Sequence, residues 1–70
     1  MRYATLIPDA STPALYEAMI LDTTERSMTQ TISTRTEAHL RALVWFNIGP
    51  VQWVDLPTYD TEYVAIFGAD

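Results

Sequence analysis

Hydrophobic and polar positions alternate with a period of two at the start of the chain. Over residues 2–7, successive side chains would lie on opposite sides of a strand, which Pro8 and Asp9 then end. Residues 28–33 are rich in β-branched side chains and predict a second strand.

The segment between these two strands is ambiguous. Thr12 followed by Pro13 matches a helix N-cap with proline in the first turn, which predicts a helix over residues 13–22. The run at residues 15–21 is also compatible with a buried strand, because short apolar runs do not distinguish the two. Residues 22–26 are polar and predict a turn.

The strongest local signal is a helix start followed by a helix stop. Thr34 and Glu37 have the spacing of a capping box, in which each side chain accepts a hydrogen bond from the other's backbone N–H. The helix is predicted over residues 35–47, ending before Gly49 and Pro50.

This helix has two apolar sides. On a helical wheel, Leu40, Leu43, Val44 and Asn47 form one stripe, which predicts the face that packs on the core. Trp45 lies about 140° from Leu40 and leaves that stripe.

The C-terminal third predicts a hairpin. Residues 51–56 and 62–67 alternate like strands, and residues 57–61 contain the proline and aspartate typical of a turn. Apolar side chains would occupy both faces of this hairpin.

The predicted order is strand, helix, strand, helix, strand, strand in one domain over residues 1–70. We expect an α+β fold, a small mostly antiparallel sheet with one or two helices packed on one face. So small a core gives little stability, and without cysteine the chain has no disulfide to add to it, which leaves self-association.

Net charge is −5, with four arginines and no lysine. From residue 47 onward the chain has four acids and no base, namely Asp55, Asp60, Glu62 and Asp70. An acidic field repels phosphate backbones, so we expect a protein partner with a basic surface and no direct nucleic acid. The alternative is that the charge only maintains solubility. Pro8 breaks the N-terminal apolar run, and no stretch is long enough to span a membrane, so a cytoplasmic protein without membrane contact is expected.

Candidate catalytic chemistry is sparse. His39 has no second histidine with which to share a metal, and Asp55, Asp60 and Glu62 lack the spacing of a calcium loop. Two glycines and no lysine exclude a glycine-rich phosphate loop and a Schiff base. We expect no catalytic residue, metal or cofactor, with a small carboxylate-based or metal-assisted enzyme as the remote alternative.

The aromatic side chains exceed what a one-sided core can use. They are either ordinary core or a surface for a partner, and tryptophan, tyrosine and arginine are the residue types that most often supply interface energy. We therefore predict a partner-binding surface centred on the C-terminal hairpin. The candidates are Trp45, Trp53, Asp55, Tyr59, Asp60, Glu62 and Tyr63, with Arg41 beside them.

The order of strand, Thr34-x-x-Glu37 helix, strand and strand, with Thr36-Glu37-Ala38 leading directly into the helix, covers roughly residues 28–68. In an acidic, cysteine-free chain this pattern resembles small phage and mobile-element proteins of the anti-CRISPR or host-takeover type. The resemblance implies stoichiometric binding to a host nucleic-acid-handling complex, often through acidic side chains. This chain departs from the pattern because it is only mildly acidic, less so than a protein that mimics DNA. The leading hypothesis is a non-enzymatic inhibitor of such a complex, and the alternative is a homodimer or other homo-oligomeric module.

Overall fold

The computed structural model describes residues 1–9 and 15–68. A four-stranded sheet has the order β3-β2-β1-β4, with antiparallel pairs except for the short parallel pair of β1 and β4. The predicted α+β class and mostly antiparallel sheet are confirmed. The elements are β1 (Arg2–Asp9), β2 (Leu15–Asp22), β3 (Ser27–Gln30), α1 (Glu37–Asn47), β4 (Gln52–Trp53) and α2 (Leu56–Phe67).

Strand β1 continues through Pro8, so the predicted end at Ile7 is wrong. The Val54 N–H donates to the Ala4 carbonyl at 2.8 Å, which shows that even-numbered residues of β1 point their backbone groups toward β4. Pro8 is even-numbered and lies past the last residue paired with β4. Its missing N–H therefore removes no bond to β2, and proline is tolerated there.

The predicted helix over residues 13–22 is wrong, and the alternative of a buried strand is confirmed by β2. Thr12 and Pro13 lie outside the described residues. Ile20 and Leu21 are both buried although they are adjacent. Because adjacent strand residues face opposite ways, both sides of the sheet must be covered at this point.

Helix α1 begins two residues later than the capping box predicted. The N-cap is Thr36, whose hydroxyl accepts from the His39 backbone N–H at 3.2 Å. Thr34 is instead a buried strand-like residue whose N–H donates to the Tyr16 carbonyl at 2.9 Å. The predicted helix end is confirmed, since Gly49 has φ of +100°, a conformation that favours glycine.

The predicted C-terminal hairpin is wrong, because residues 56–67 form α2. Asp55 is the N-cap and accepts from the Thr58 backbone N–H at 3.0 Å, and Pro57 lies in the first turn, where no N–H is needed. Tyr59, Tyr63 and Phe67 follow at intervals of four and form one stripe of the helix. Burial of Tyr59 and partial burial of Tyr63 on this stripe outweigh the β-propensity of the sequence.

The two helices lie on opposite faces of the sheet. Leu40 and Val44 of α1 pack on the face that carries Ala4, Ala18 and Ile20. On the other face, Tyr59 and Tyr63 of α2 lie beside the side chains of Met19 and Met28. The predicted packing of a helix on one face of the sheet thus holds for α1, and α2 packs on the other face.

Candidate protein-binding surface

An aromatic cleft lies between α1 and the β4 edge of the sheet. Its volume is about 140 Å³. We call it the tryptophan cleft, and its lining residues are Arg41, Val44, Trp45, Gly49, Pro50, Val51 and Trp53.

Trp45 forms the outer wall of the tryptophan cleft. It is 61% exposed because it lies off the stripe through which Leu40 and Val44 reach the core. The prediction that Trp45 leaves that stripe is confirmed. The neighbouring Phe46, which was not singled out from the sequence, is 82% exposed.

Trp53 forms the inner wall and is half-buried. It is paired in register with Ala4, so its ring lies at the margin of the core under α1. The Arg41 guanidinium lies 4.5 Å from the centroid of the Trp53 ring. Arg41 also forms an ion pair with Glu37 one helical turn earlier, with 3.2 Å between nitrogen and oxygen. These two contacts hold the guanidinium against the Trp53 ring at the cleft, while the arginine side chain stays 43% exposed.

The structure does not bring the three predicted carboxylates together. Asp55 caps α2, and the hydrogen bonds from the Thr58 side chain and backbone hold the pKa of its carboxyl below the ordinary value. Asp60 and Glu62 are two residues apart, about 200° around α2, and therefore lie on different sides of the helix. These acids do not form one binding site.

Tyr59 is a core residue, only 1% exposed. Its hydroxyl has no hydrogen-bond partner among the described residues. Burial, followed by the effects of Tyr63 and Asp60, raises the pKa of this phenol above 10.0. Tyr63 is half-buried, with its ring centroid 6.5 Å from that of Tyr59 and 4.9 Å from that of Phe67. Of the predicted candidates, Trp45 and Trp53 are thus the aromatics that a partner can reach together.

A second exposed feature is the β3 edge of the sheet. Ile32, just after β3, is 72% exposed and lines a groove of about 360 Å³ together with Leu43 of α1. The sequence signal for this edge is the stretch at residues 27–34, which has no charged residue, proline or glycine.

The described residues contain no cluster of three or more histidine, aspartate or glutamate side chains that could hold a metal ion. His39 lies exposed in the first turn of α1. No helix in residues 1–9 and 15–68 is both long and apolar enough to cross a bilayer. Comparison with protein-family models, curated proteins and solved structures finds no match for this chain.

Proposed function

We propose that this protein is a non-enzymatic binding module that takes a side chain of a partner protein into the tryptophan cleft. The observation that carries the proposal is the position of Trp45, a large aromatic side chain that is mostly exposed beside the half-buried Trp53. Exposed tryptophan and arginine around a small pocket are the residue types and the setting of interface hot spots.

The size of the cleft favours a protein ligand over a cofactor or substrate. Small-molecule sites usually enclose about 300–1,000 Å³. The tryptophan cleft has about 140 Å³, which suits one apolar or aromatic side chain. Pro50 and Val51 add apolar surface to the lining, and the Arg41 guanidinium supplies donors for a carbonyl of the partner.

The charge distribution supports a basic partner. Arg2 and Arg26 donate to backbone carbonyls of Ile48 and Ile66 at 2.8 and 2.9 Å, and Arg41 lies on Trp53. Three of the four arginines are thus engaged within the fold, in a chain of net charge −5. The narrower hypothesis of an inhibitor of a nucleic-acid-handling complex stays a prediction that rests on the resemblance alone.

Selection from a displayed library of random peptides tests the proposal without knowledge of the natural partner. The immobilised protein should enrich peptides that share an apolar or aromatic anchor. Trp45→Ala should weaken their binding by about thirty-fold or more, the effect of losing a hot spot of about 2 kcal/mol.

Val64→Ala is the matched control, because Val64 is an exposed hydrophobic on α2, away from the cleft. It should leave the affinity of the selected peptides unchanged. Failure to enrich any peptide, or equal loss in both variants, would contradict a role for the tryptophan cleft.

A further inference from the structure

The outer side of β3 presents unpaired backbone groups. Thr29 is paired with Ile20 of β2, and the Thr31 N–H donates to the Ala18 carbonyl at 3.0 Å. Odd-numbered residues of this segment therefore point their backbone groups inward. By alternation, the N–H and C=O of Met28 and Gln30 point away from the sheet, where no described strand lies.

Over residues 27–31 this edge lacks the charges and proline that usually protect the edge strands of monomeric proteins. Edge strands are normally guarded by charges, proline or a covering element. Residues 27–34 contain no charge and no proline, and all four residues of β3 are exposed. The opposite side of the sheet is different. There β4 covers the first half of β1, and Pro8 removes a backbone donor from the second half of β1.

We propose that the β3 edge pairs with the β3 edge of a second copy of this chain. An antiparallel pair centred on Thr29 places Met28 opposite Gln30 of the other copy. This register forms about four new backbone hydrogen bonds and joins two four-stranded sheets into one. Thr29 faces its own counterpart at the twofold axis, a pair that is favourable across strands.

The electrostatics of this register suit a copy of the same chain. Two molecules of net charge −5 repel each other over most of their surface. Residues 27–31 of the β3 edge, however, contain no charged side chain. Pairing the two edges therefore brings no like charges into direct contact.

The twofold axis also brings exposed apolar surface together. An axis perpendicular to the sheet keeps the α1 helices of both copies on the same face, on either side of the junction. Leu43 lines the groove beside Ile32, and Phe46 follows Leu43 by three residues on the same side of α1. Phe46 and Ile32 are the most exposed large hydrophobic side chains in the described residues. Dimerisation would cover the Ile32 and Phe46 side chains of both copies.

The dimer would have a consequence for binding. Strand β4 is at the opposite edge of the sheet from β3, so the two tryptophan clefts would lie at the far ends of the joined sheet. Such a dimer presents two separated copies of one site and can bind a repeated or symmetric partner with avidity.

Size-exclusion chromatography with light scattering, over concentrations from low to high micromolar, tests the pairing. The wild-type chain should approach twice its 7.9 kDa mass as concentration rises. Gln30→Pro should stay monomeric, because it removes an outward N–H without removing a bond to β2. Gln30→Ala is the matched control and should dimerise like the wild type, since it keeps the backbone donor.

Circular dichroism should show that Gln30→Pro keeps the wild-type fold. If the proline variant does not fold, Thr29→Lys replaces it as the test, since it sets two like charges face to face at the axis. A wild-type monomer at every concentration, or a dimer that persists in the folded edge variant, would overturn the proposal. Amide exchange gives an independent readout, because the N–H groups of Met28 and Gln30 should be protected only at dimer-forming concentrations.

Discussion

The Arg41 guanidinium lies over the Trp53 ring, 4.5 Å from its centroid, and so links α1 to β4. These two elements meet at the edge of the core, where Trp53 packs against the buried cluster that contains Leu40 and Val44. The arginine thereby fixes the inner wall of the tryptophan cleft.

Replacing this arginine should loosen the cleft. Arg41→Met keeps most of the aliphatic stem but removes the charge, and we expect a loss of about 0.5–1 kcal/mol in the free energy of unfolding. Urea titration followed by tryptophan fluorescence measures it, and the fluorescence of the native state should shift as well. Arg35→Met, at an exposed position just before α1, is the control. An equal loss in both variants would show that the stacking contributes nothing specific.

The buried hydroxyl of Tyr59 should reduce stability. Tyr59→Phe removes a polar atom that has no partner among the described residues, and we expect the free energy of unfolding to rise by roughly 1 kcal/mol. Chemical denaturation at neutral pH measures this. Tyr63→Phe, on the next turn of α2 and half-buried, is the comparison and should change stability less. A clear destabilisation by Tyr59→Phe would mean that the hydroxyl has a partner.

The same residue predicts how stability depends on alkaline pH. Burial raises the pKa of the Tyr59 phenol above 10.0, so above pH 10 the unfolded chain loses a proton that the folded chain keeps. The free energy of unfolding is therefore unaffected by this ionisation below pH 10, and it decreases as pH rises through the folded pKa. Thermal unfolding at increasing pH should show a steeper decline for the wild type than for Tyr59→Phe. Parallel declines would rule out this linkage.

Asp22 predicts the opposite dependence in acid. Its Oδ1 accepts from the backbone N–H groups of Thr24 and Glu25 at 3.0 and 3.1 Å, and its Oδ2 accepts from Arg2 at 3.1 Å. The Glu25 N–H and then Arg2 hold the pKa below the ordinary 3.8. Stability from this carboxylate is present above pH 3.8 and is lost as pH falls through the folded pKa.

Asp22→Asn should therefore flatten the acid side of the stability profile. The matched control is Asp60→Asn, an exposed carboxylate on α2 that makes no such turn contacts. Thermal unfolding between pH 2 and 6, in about half-unit steps, makes the comparison. The prediction fails if Asp22→Asn and the wild type lose stability in parallel.

The start of α1 depends on one hydroxyl. Thr36→Ala should cost about 1 kcal/mol because the His39 N–H loses its acceptor, whereas Thr36→Ser should cost little. Thr34→Val keeps the β-branched shape but removes the hydroxyl that the earlier start predicted from the sequence would need, and it should not affect α1 capping. A larger loss of helical circular dichroism for the Thr34 variant than for Thr36→Ala would show that α1 begins at the earlier cap.

Some features followed from local sequence because local physics determines them. The core-facing stripe of α1 follows from the helical period of 3.6 residues alone. The C-terminal end of α1 follows from the backbone conformation that Gly49 adopts. The exposure of Trp45 follows from the same periodicity. The α+β class with a mostly antiparallel sheet likewise needs only the mixture of periods along the chain.

Other features could not be read locally. Residues 15–22 and 56–67 both contain apolar side chains compatible with either helix or strand. Their identity depends on what covers the sheet, because β2 can be apolar on both faces only if α2 packs on the second one. The sequence prediction favoured a helix for the first segment, with a buried strand as the alternative, and placed the second segment in a hairpin.

The arginines illustrate the same limit. Arg2 and Arg26 donate to backbone carbonyls at the C-terminal ends of α1 and α2, a favourable position for a cation, from 46 and 40 residues away in the chain. The sequence by itself determined the charge, the helical periodicity of α1 and the excess of aromatic residues. Only the tertiary structure decided which aromatics stay exposed, which acids separate and which strand edge is left open, since these depend on contacts between residues distant in the chain.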